Sequence, residues 1–463
     1  MKINTILVAA LALSTSSCLL YKEATPEKMN ELKQSATATK NMEIPDQWIF
    51  DRENAAFSYQ WIDELKDPQL MTLIEEGLKY NADILIAEEK LNQIELAMGI
   101  AASNLYPTVS AVANTSNNVV NGSNIQNLSL KANWELDIWG KNKAASSAAT
   151  SQYFSAKYQT DRVKQSIAAM ICKAYFMNIA SNSQMAKTEH FLKLTQDLEK
   201  LYAVRNKVGT ANAIDLSNIK AEIITLEGQL EKLKNANKET KRSLELLTGK
   251  YPEGKIATQT HFTPIQQGVP TQFPLNLLEN RPDILASQYQ IESQFYEVQE
   301  AKAARLPSLN ISASLGGAGT NISALNSLYS NPLVNMGGNL ATPIFNGGAL
   351  KKNVEIQNSE QKAAVEQYAK ILMNALNEVE GAMANASSIE KQIGYSEKAI
   401  SELEKNVELT KKQIHIGTSD NFILIQKQRD LLRKEMALID LQLQNRVERI
   451  NLYMALGASQ FNK

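Results

Sequence analysis

Two halves of this amino-acid sequence repeat each other and keep their register over most of their length. NADILIAEEK from Asn81 pairs with RPDILASQYQ from Arg281, 200 positions later. KVGTANAIDL from Lys207 pairs with HIGTSDNFIL from His415, 208 positions later. Each matched stretch is free of gaps, so eight additional residues lie between them. Because a repeated unit buries its apolar surface against its neighbour, the chain should fold as two similar halves.

Long helices are indicated by the absence of proline between 108 and 251 and between 344 and 463. In the second stretch apolar residues recur at every seventh position, a pattern typical of supercoiled helices. These residues are Val365, Leu372, Val379, Ala386, Ile393, Ile400, Val407 and Ile414. The pattern predicts a long helix at 348–414 and a counterpart in the first repeat at 140–206. At about 1.5 Å per residue, each is on the order of 100 Å long.

A short turn and a shorter helix follow each long helix. VGTAN leads to a helix predicted at 212–248, and IGTSD leads to one predicted at 419–457. Each repeat therefore contains a helical hairpin whose apolar faces need a partner. A further helix opens each repeat, and in the second repeat it is predicted at 281–305.

Four segments between the helices alternate apolar and polar residues, as strands with two different faces do. They are predicted at 108–118, 126–139, 308–317 and 334–345. Strands of about ten residues can cross a bilayer at a tilt, and the charged residues on one face suit a water-filled lumen. The pattern therefore favours a membrane barrel over a soluble sandwich. Since four strands are too few to close a barrel, the chain must then oligomerise.

The N-terminus, MKINTILVAALALSTSSC, has an apolar run too short to span a bilayer. It has the proportions of a signal peptide at 1–17. The last four residues, ending at Cys18, resemble a lipoprotein processing site, with the difference that Thr15 replaces the usual apolar residue. The sequence favours lipidation of Cys18 over an incidental cysteine in an ordinary cleaved signal. Residues 18–50 then form a lipidated linker.

Charge and composition exclude several function classes. The 48 basic and 49 acidic residues balance, and no basic stripe could follow a phosphate backbone, so a nucleic-acid partner is not expected. The three histidines lie far apart without a ligand cluster beside them, and neither a metal site nor a cofactor is expected. Cys172 is predicted to be a small buried apolar residue. No convergent set of His, Cys or carboxylate residues indicates an enzyme.

Several motifs, in order, resemble the TolC family of outer-membrane efflux ducts, in the lipoprotein branch represented by OprM, NodT and CusC. They are WIDELKDPQLMTLIEEGLKYNADI, WELDIWGKNKAA, NLLENRPDILASQYQIE, ARLPSL, TPIFNGGALKKNVE and the paired VGT and IGT turns. The resemblance extends from Trp61 to Gly457. It implies TolC-type repeats at 51–250 and 276–463, joined by an equatorial linker at 251–275.

The resemblance implies a mainly α-helical protein with a membrane β-barrel. Three protomers would each give four strands to one twelve-stranded barrel, coaxial with a long α-helical coiled-coil barrel. This homotrimer would be lipid-anchored in the outer membrane, among its lipids, and would extend into the periplasm. It would meet a periplasmic adaptor protein fitted to an inner-membrane RND-type pump. The expected function is a duct for small molecules such as drugs, metabolites or toxic ions.

In the family, the turn between the long and the short helix is the periplasmic tip, where the adaptor docks. The residues that match this motif are Val208, Gly209, Thr210, Ile416, Gly417 and Thr418. Asp215 matches a carboxylate position near the constriction, where a ring of three would attract cations. The second copy departs from the pattern at Ser419 and Ile423, where some members carry arginine and aspartate. Asp420 can supply a charge to this gate or can serve only as a helix N-cap.

The sheet meets the long helices at two equivalent junctions, Trp139-Gly140 and Gly347-Gly348. Two other functions stay open at this point. One is the outer-membrane outlet of a type I protein secretion system. The other, from a different class, is a periplasmic adaptor lipoprotein. Adaptors resemble a single hairpin flanked by small β domains, whereas this chain has two hairpins and strands of membrane-spanning length.

Overall fold

A computed structural model describes residues 21–38, 40, 67–118, 123–263, 278, 280–319 and 332–457. The predicted signal peptide, Cys18 and large parts of both predicted linkers lie outside these residues. The described part of the chain contains eight helices and four strands. In chain order they are α1 (Pro26–Gln34), α2 (Pro68–Tyr80), α3 (Ala82–Ser103), β1 (Thr108–Asn118), β2 (Ser123–Leu136), α4 (Lys141–Lys207), α5 (Ala213–Leu247), α6 (Pro282–Ala303), β3 (Ser308–Gly319), β4 (Leu333–Ala341), α7 (Ala349–His415) and α8 (Asn421–Ala455).

The helices of the two repeats have equal lengths. Both long helices, α4 and α7, contain 67 residues, and both short helices, α5 and α8, contain 35. Each long helix lies one residue later in the chain than the heptads and prolines indicate. In α7, five of the eight heptad residues are at most 9% exposed, and the other three are partly buried. The heptad positions therefore form the packed side of the helix.

Two predicted strand ends and one predicted linker are corrected by the structure. Strand β2 ends at Leu136 and not at 139. The strand stops there because the Asp137 carboxylate accepts the backbone N–H groups of Asn142 (3.1 Å) and Lys143 (2.7 Å) at the start of α4. Strand β4 ends at Ala341 and not at 345, two residues before Pro343, which has no N–H for the ladder. Within the predicted linker 18–50, the described residues include a helix, α1.

The described residues divide into two compact units. The sheet unit contains the described residues of 1–43, 89–159 and 283–372, and the hairpin unit contains those of 44–88, 160–282 and 373–463. The four strands belong to the sheet unit, and the turns that follow the long helices belong to the hairpin unit. Each unit has its own buried core.

The sheet is antiparallel throughout, in the order β1-β2-β3-β4. Its register places most apolar residues of the four strands on one face: Ala111, Leu130, Leu315 and Val334 form one row, and Val109, Ala132, Ala313 and Met336 form the next. These side chains are not covered, since Val109 is 71% and Met336 is 80% exposed. The other face carries mostly Ser, Thr, Asn and Gly residues around Lys131, together with Glu135, Val112 and Leu333. Within the described chain, β1 and β4 each pair along one edge only.

Helix α1 packs on the helices of the sheet unit. Thr25 caps the helix by accepting the N–H of Lys28 (3.3 Å), and Pro26 occupies the first turn, where its missing N–H costs nothing. Met29 and Leu32, three residues apart, then pack against two buried clusters. These clusters contain Ala36, Ala148, Ile291, Phe295, Tyr296, Val365 and Ala369. This part of the predicted linker is therefore a helix whose apolar residues pack on α4, α6 and α7.

The core of the hairpin unit gathers apolar residues from five helices, α2, α3, α4, α5 and α8. Its most buried members include Leu70, Ile84, Ile171, Tyr175, Leu244 and Tyr453. Cys172 lies within this core and is fully buried, as predicted. Burial raises the pKa of its thiol, so the group stays protonated and unreactive.

Two equivalent contacts, the joints, connect an early residue of each repeat to the end of the short helix of that repeat. The side-chain amide of Asn81 donates to the carbonyl of Leu247 (3.0 Å), and the guanidinium of Arg281 donates to the carbonyl of Ala455 (2.8 Å). In each case the residue at the start of the repeat binds the last turn of its short helix. Beside each joint a glycine adopts a left-handed conformation, with φ of +72° at Gly249 and +70° at Gly457. A Cβ at either glycine would lie 2.7 Å from the neighbouring chain segment.

Replacing either joint glycine should destabilise the protein. Gly249→Ala and Gly457→Ala combine a left-handed backbone with a steric clash, and each should lower the free energy of unfolding by about 1–3 kcal/mol. Gly228→Ala is the matched control, because a methyl group added at Gly228 in α5 would meet no atom within 4 Å. That substitution should be neutral or stabilising by about 0.5–1 kcal/mol. Thermal unfolding in detergent compares the three, and equal midpoints would contradict the role of the joints.

Candidate functional site at the hairpin tips

The two turns that end the long helices have the same hydrogen bonds. In the first, the N–H of Thr210 donates to the carbonyl of Arg205 (2.9 Å), and its hydroxyl donates to the same carbonyl (3.1 Å). In the second, Thr418 donates to Gln413 in the same way, at 2.9 and 3.2 Å. The glycines before these threonines have φ of +74° and +79°, as the left-handed closing residue of a helix requires. The Gly-Thr pair of each motif therefore shapes a tight, pre-formed tip.

Both tips expose apolar side chains. Val208 is 68% exposed and Ile416, its counterpart, is 71% exposed. Ile214, in the first turn of α5, is 64% exposed. Exposed apolar side chains clustered on a tight turn are typical of a surface that contacts another protein. A Cβ at Gly209 or Gly417 would meet no atom within 4 Å. Glycine is therefore favoured at both positions by the left-handed backbone and not by a lack of space.

Asp420 has two partners at the start of α8. Its Oδ1 accepts the N–H of Ile423 (3.2 Å), which makes it the N-cap. Its Oδ2 forms an ion pair with Arg205, at the end of α4. The carboxylate therefore caps α8 with one oxygen and forms an ion pair with the other. The ion pair links the first hairpin to the second.

Aromatic residues surround this ion pair. The Arg205 guanidinium lies 4.7 Å from the ring centre of Phe422, and Tyr202 packs edge-on against the same ring at 4.9 Å. Burial raises the pKa of the Tyr202 hydroxyl, and the carboxylate of Asp215 raises it further, while Arg205 lowers it. Asp215 therefore lies within electrostatic reach of the cluster. Among the described residues, Asp215 forms no ion pair and is not hydrogen-bonded to Asp420.

A second charged layer lies deeper between α5 and α8. Glu222 forms ion pairs with Arg429 and with Arg433, the latter at 3.2 Å. Arg429 is only 8% exposed, and both guanidinium groups lie about 5 Å from the ring of Phe191. Sequence reasoning missed these residues, although a signal was present. Arg429 lies four residues after Ile425 and three before Leu432, so it occupies a position in the apolar seam of α8.

The two sheet–helix junctions use different residues for the same turn. At the first, the indole N–H of Trp139 donates to the carbonyl of Pro307 (2.7 Å), and Gly140 has φ of +76°. A Cβ at Gly140 would lie 2.7 Å from the Cβ of Tyr21, so the N-terminal segment lies directly against this glycine. At the second, Gly347 and Gly348 have φ of +65° and +81°. There the preceding side chains, Ile344 and Phe345, are 94% and 90% exposed.

Within the described ranges, no three His, Cys, Asp or Glu side chains are grouped so that they could hold a metal ion. In the same part of the chain, no helix combines the length and apolar character needed to cross a membrane.

Long helical hairpins together with a four-stranded sheet give this chain the fold of TolC-like outer-membrane channels. Residues 73–250 and 274–458 match the family model described as outer membrane efflux protein, which covers most of the chain. The chain belongs to the outer membrane efflux protein family. It is the outer-membrane channel of an efflux system.

Known proteins with similar sequences and structures agree with this assignment. The pyoverdine export outer membrane protein OpmQ of Pseudomonas aeruginosa is 24% identical, over 89% of this chain and 90% of its own length. The cation efflux system protein CusC of Escherichia coli is 24% identical, over 90% of this chain and 93% of its own. The crystal structure of the Campylobacter jejuni CmeC outer membrane channel superposes with a TM-score of 0.80 at 20% identity, covering 91% of this chain and 95% of that one.

The ion pair between Arg205 and Asp420 should hold the tips closed. Arg205→Gln and Asp420→Asn each introduce the residue found at the equivalent position of the other repeat, Gln413 and Asn212. Asparagine also keeps the N-cap, so only the charge is lost. In a trimer with three such pairs, each variant should raise the open fraction in planar-bilayer recordings by about threefold or more, because exposed ion pairs contribute about 0.2–1 kcal/mol each.

The double variant should open no more than either single variant, since both remove one interaction. Glu231→Gln is the control, because it removes an exposed ion pair with Lys234 inside α5. If that control opens the channel equally, the contact at the tip is not what holds it closed.

Proposed function

We propose that three copies of this chain close one pore and form the outer-membrane duct of a tripartite efflux system. The observation that carries this proposal is the uncovered sheet, with its apolar face exposed and two edges unpaired in the described chain. Its strands contain 9 to 14 residues, the length that crosses a bilayer at a tilt. Three such sheets give twelve strands, within the range of outer-membrane barrels.

The proposed cargo is small molecules, delivered by a periplasmic adaptor and an inner-membrane RND-type pump. The names of two relatives, a pyoverdine exporter and a cation efflux protein, support this class of cargo. Such a duct needs no chemistry of its own, since a continuous lumen and a closable end are sufficient for passage. The polar face of the sheet, with Lys131 among hydroxyl and amide groups, suits a water-filled lumen.

The hairpin tips are the proposed docking surface for the adaptor and the proposed gate. Support for docking comes from the exposed apolar residues Val208 and Ile416 on two turns of identical geometry. Support for gating comes from Asp420, whose ion pair joins the two hairpins, and from Asp215 beside the same cluster. An adaptor that engages both turns could separate α4 from α8 and break this contact.

The proposed anchor is a lipid on Cys18, which holds the protein in the outer membrane while the hairpins extend into the periplasm. The support is the position of Tyr21, which lies against Gly140 at the end of β2 and hydrogen-bonds Ser147 (2.9 Å). Cys18 precedes Tyr21 by three residues, which span at most about 10 Å, so a lipid at that position suits a membrane boundary close to this junction. A lipid there would reach the membrane without strain in the chain.

The assembly has a direct test. Purified in detergent, the protein should elute as a trimer, and after reconstitution it should form an ion-conducting pore in planar bilayers. The physical reason is that the sheet can satisfy its edges and cover its apolar face only by joining other copies and lipid. A water-soluble monomer without conductance would contradict the proposal.

The docking surface has a separate test in living cells. Gly209→Leu combined with Gly417→Leu should abolish drug resistance while the trimer still assembles, because bulky residues disfavour the left-handed turn at both tips. Gly228→Leu, an exposed helical position in α5, is the control and should leave resistance unchanged. Unchanged resistance in the double variant would show that the turns are not the docking site.

A further inference from the structure

A cavity of about 530 Å³ lies in the sheet unit beside the first junction. Its walls come from the N-terminal segment with α1, from the junction at Trp139 and Gly140, and from α6 and α7. The volume lies within the range of small-ligand sites, about 300–1,000 Å³. Neither the duct nor the tips use it.

The charges around this cavity have one sign. Three lysines, Lys22, Lys28 and Lys302, line it, and no carboxylate does. Lys28 is paired with Glu31 (2.8 Å). Among the described residues, Lys22 and Lys302 have no ion-pair partner. Two lysines that line one cavity without a paired carboxylate attract an anion.

The backbone of Lys22 is held beside the cavity by two hydrogen bonds. The Gln299 side chain accepts the N–H of Lys22 (2.6 Å) and donates to its carbonyl (2.9 Å). Tyr21, the preceding residue, stacks on Tyr296 with ring centres 5.9 Å apart. One lysine therefore comes from the N-terminal segment and the other from α6, and an anion between them would bridge the two.

The remainder of the lining is apolar, with Trp139, Phe295 and Leu306 among its residues. A free phosphate ion would leave this surface unused, whereas a lipid would cover it with its glycerol and upper acyl carbons. The place also fits a lipid: Trp139 follows the end of β2, where the apolar face of the sheet stops. In an outer-membrane protein this level is the membrane–water interface, at which tryptophan is enriched.

We propose that this cavity binds the headgroup of an anionic phospholipid from the periplasmic leaflet of the outer membrane. Lys22 and Lys302 would contact the phosphate, and the apolar wall would contact the glycerol region. The bound lipid would fasten the N-terminal segment to α6 at the level of the junction. The inference rests on the proposed membrane placement of the sheet.

The test uses the full-length trimer purified in detergent and exchanged with dioleoyl phosphatidylglycerol, followed by native mass spectrometry. The wild-type trimer should retain this lipid in preference to dioleoyl phosphatidylcholine. Each lysine near an anionic lipid surface changes binding by about fivefold, so Lys22→Gln with Lys302→Gln should weaken retention by about 25-fold. Both lysines are exposed, so folding should be unaffected.

Lys232→Gln with Lys398→Gln is the matched control, since it removes two exposed lysines from the hairpin unit. Equal lipid retention by wild type and the Lys22/Lys302 variant would overturn the proposal. Displacement of the lipid by millimolar inorganic phosphate alone would also overturn it, because the site would then be one for a free anion. Pore conductance of both variants should match wild type, so loss of the lipid site is distinguishable from failure of the duct.

Discussion

The backbone groups at the two edges of the sheet impose the strongest demand on this protein. Strands β1 and β4 each leave one row of N–H and C=O groups without a partner in the described chain. In a bilayer such groups have no water to bind, and each unsatisfied group costs several kcal/mol. Closure with further copies would remove this cost and would at the same time place the two continuous apolar rows toward lipid. The register is compatible with closure into a barrel, because each of these apolar rows continues across all four strands.

Duplication supplied two equal hairpins, and divergence made their tips complementary. Arg205 has Gln413 as its counterpart, and Asp420 has Asn212. Each turn keeps its own N-cap, since Asn212 accepts the N–H of Ile214 (3.0 Å) just as Asp420 accepts that of Ile423. Arg205 therefore has no equivalent cation in the second tip, and Asp420 has no equivalent anion in the first. Two identical hairpins could not form this pair, so the difference between the repeats creates the contact that joins them.

Periodicity predicted the regular elements well, because proline, heptads and strand alternation act locally. The long helices lie within one residue of the expected bounds. The ends of β2 and β4 were wrong, since capping by Asp137 and the missing N–H of Pro343 override the alternation pattern. Helix α1 was missed because its stability comes from packing on distant helices. At the tips, the sequence identified the turns and Asp420 but not Arg205, whose role depends on which helix lies beside which.

The energies of the two charged layers suggest how far the tips can open. The Arg205–Asp420 pair has side chains 38% and 48% exposed, so it contributes about 0.2–1 kcal/mol, and three pairs in a trimer about 0.6–3 kcal/mol. That sum favours the closed state by only about 3- to 150-fold, which docking of an adaptor can readily overcome. The deeper pair differs, because Arg429 is 8% exposed and would be left as a buried charge. Breaking such a pair costs about 3–5 kcal/mol per protomer, so we expect opening to separate the outer layer and to stop at Glu222.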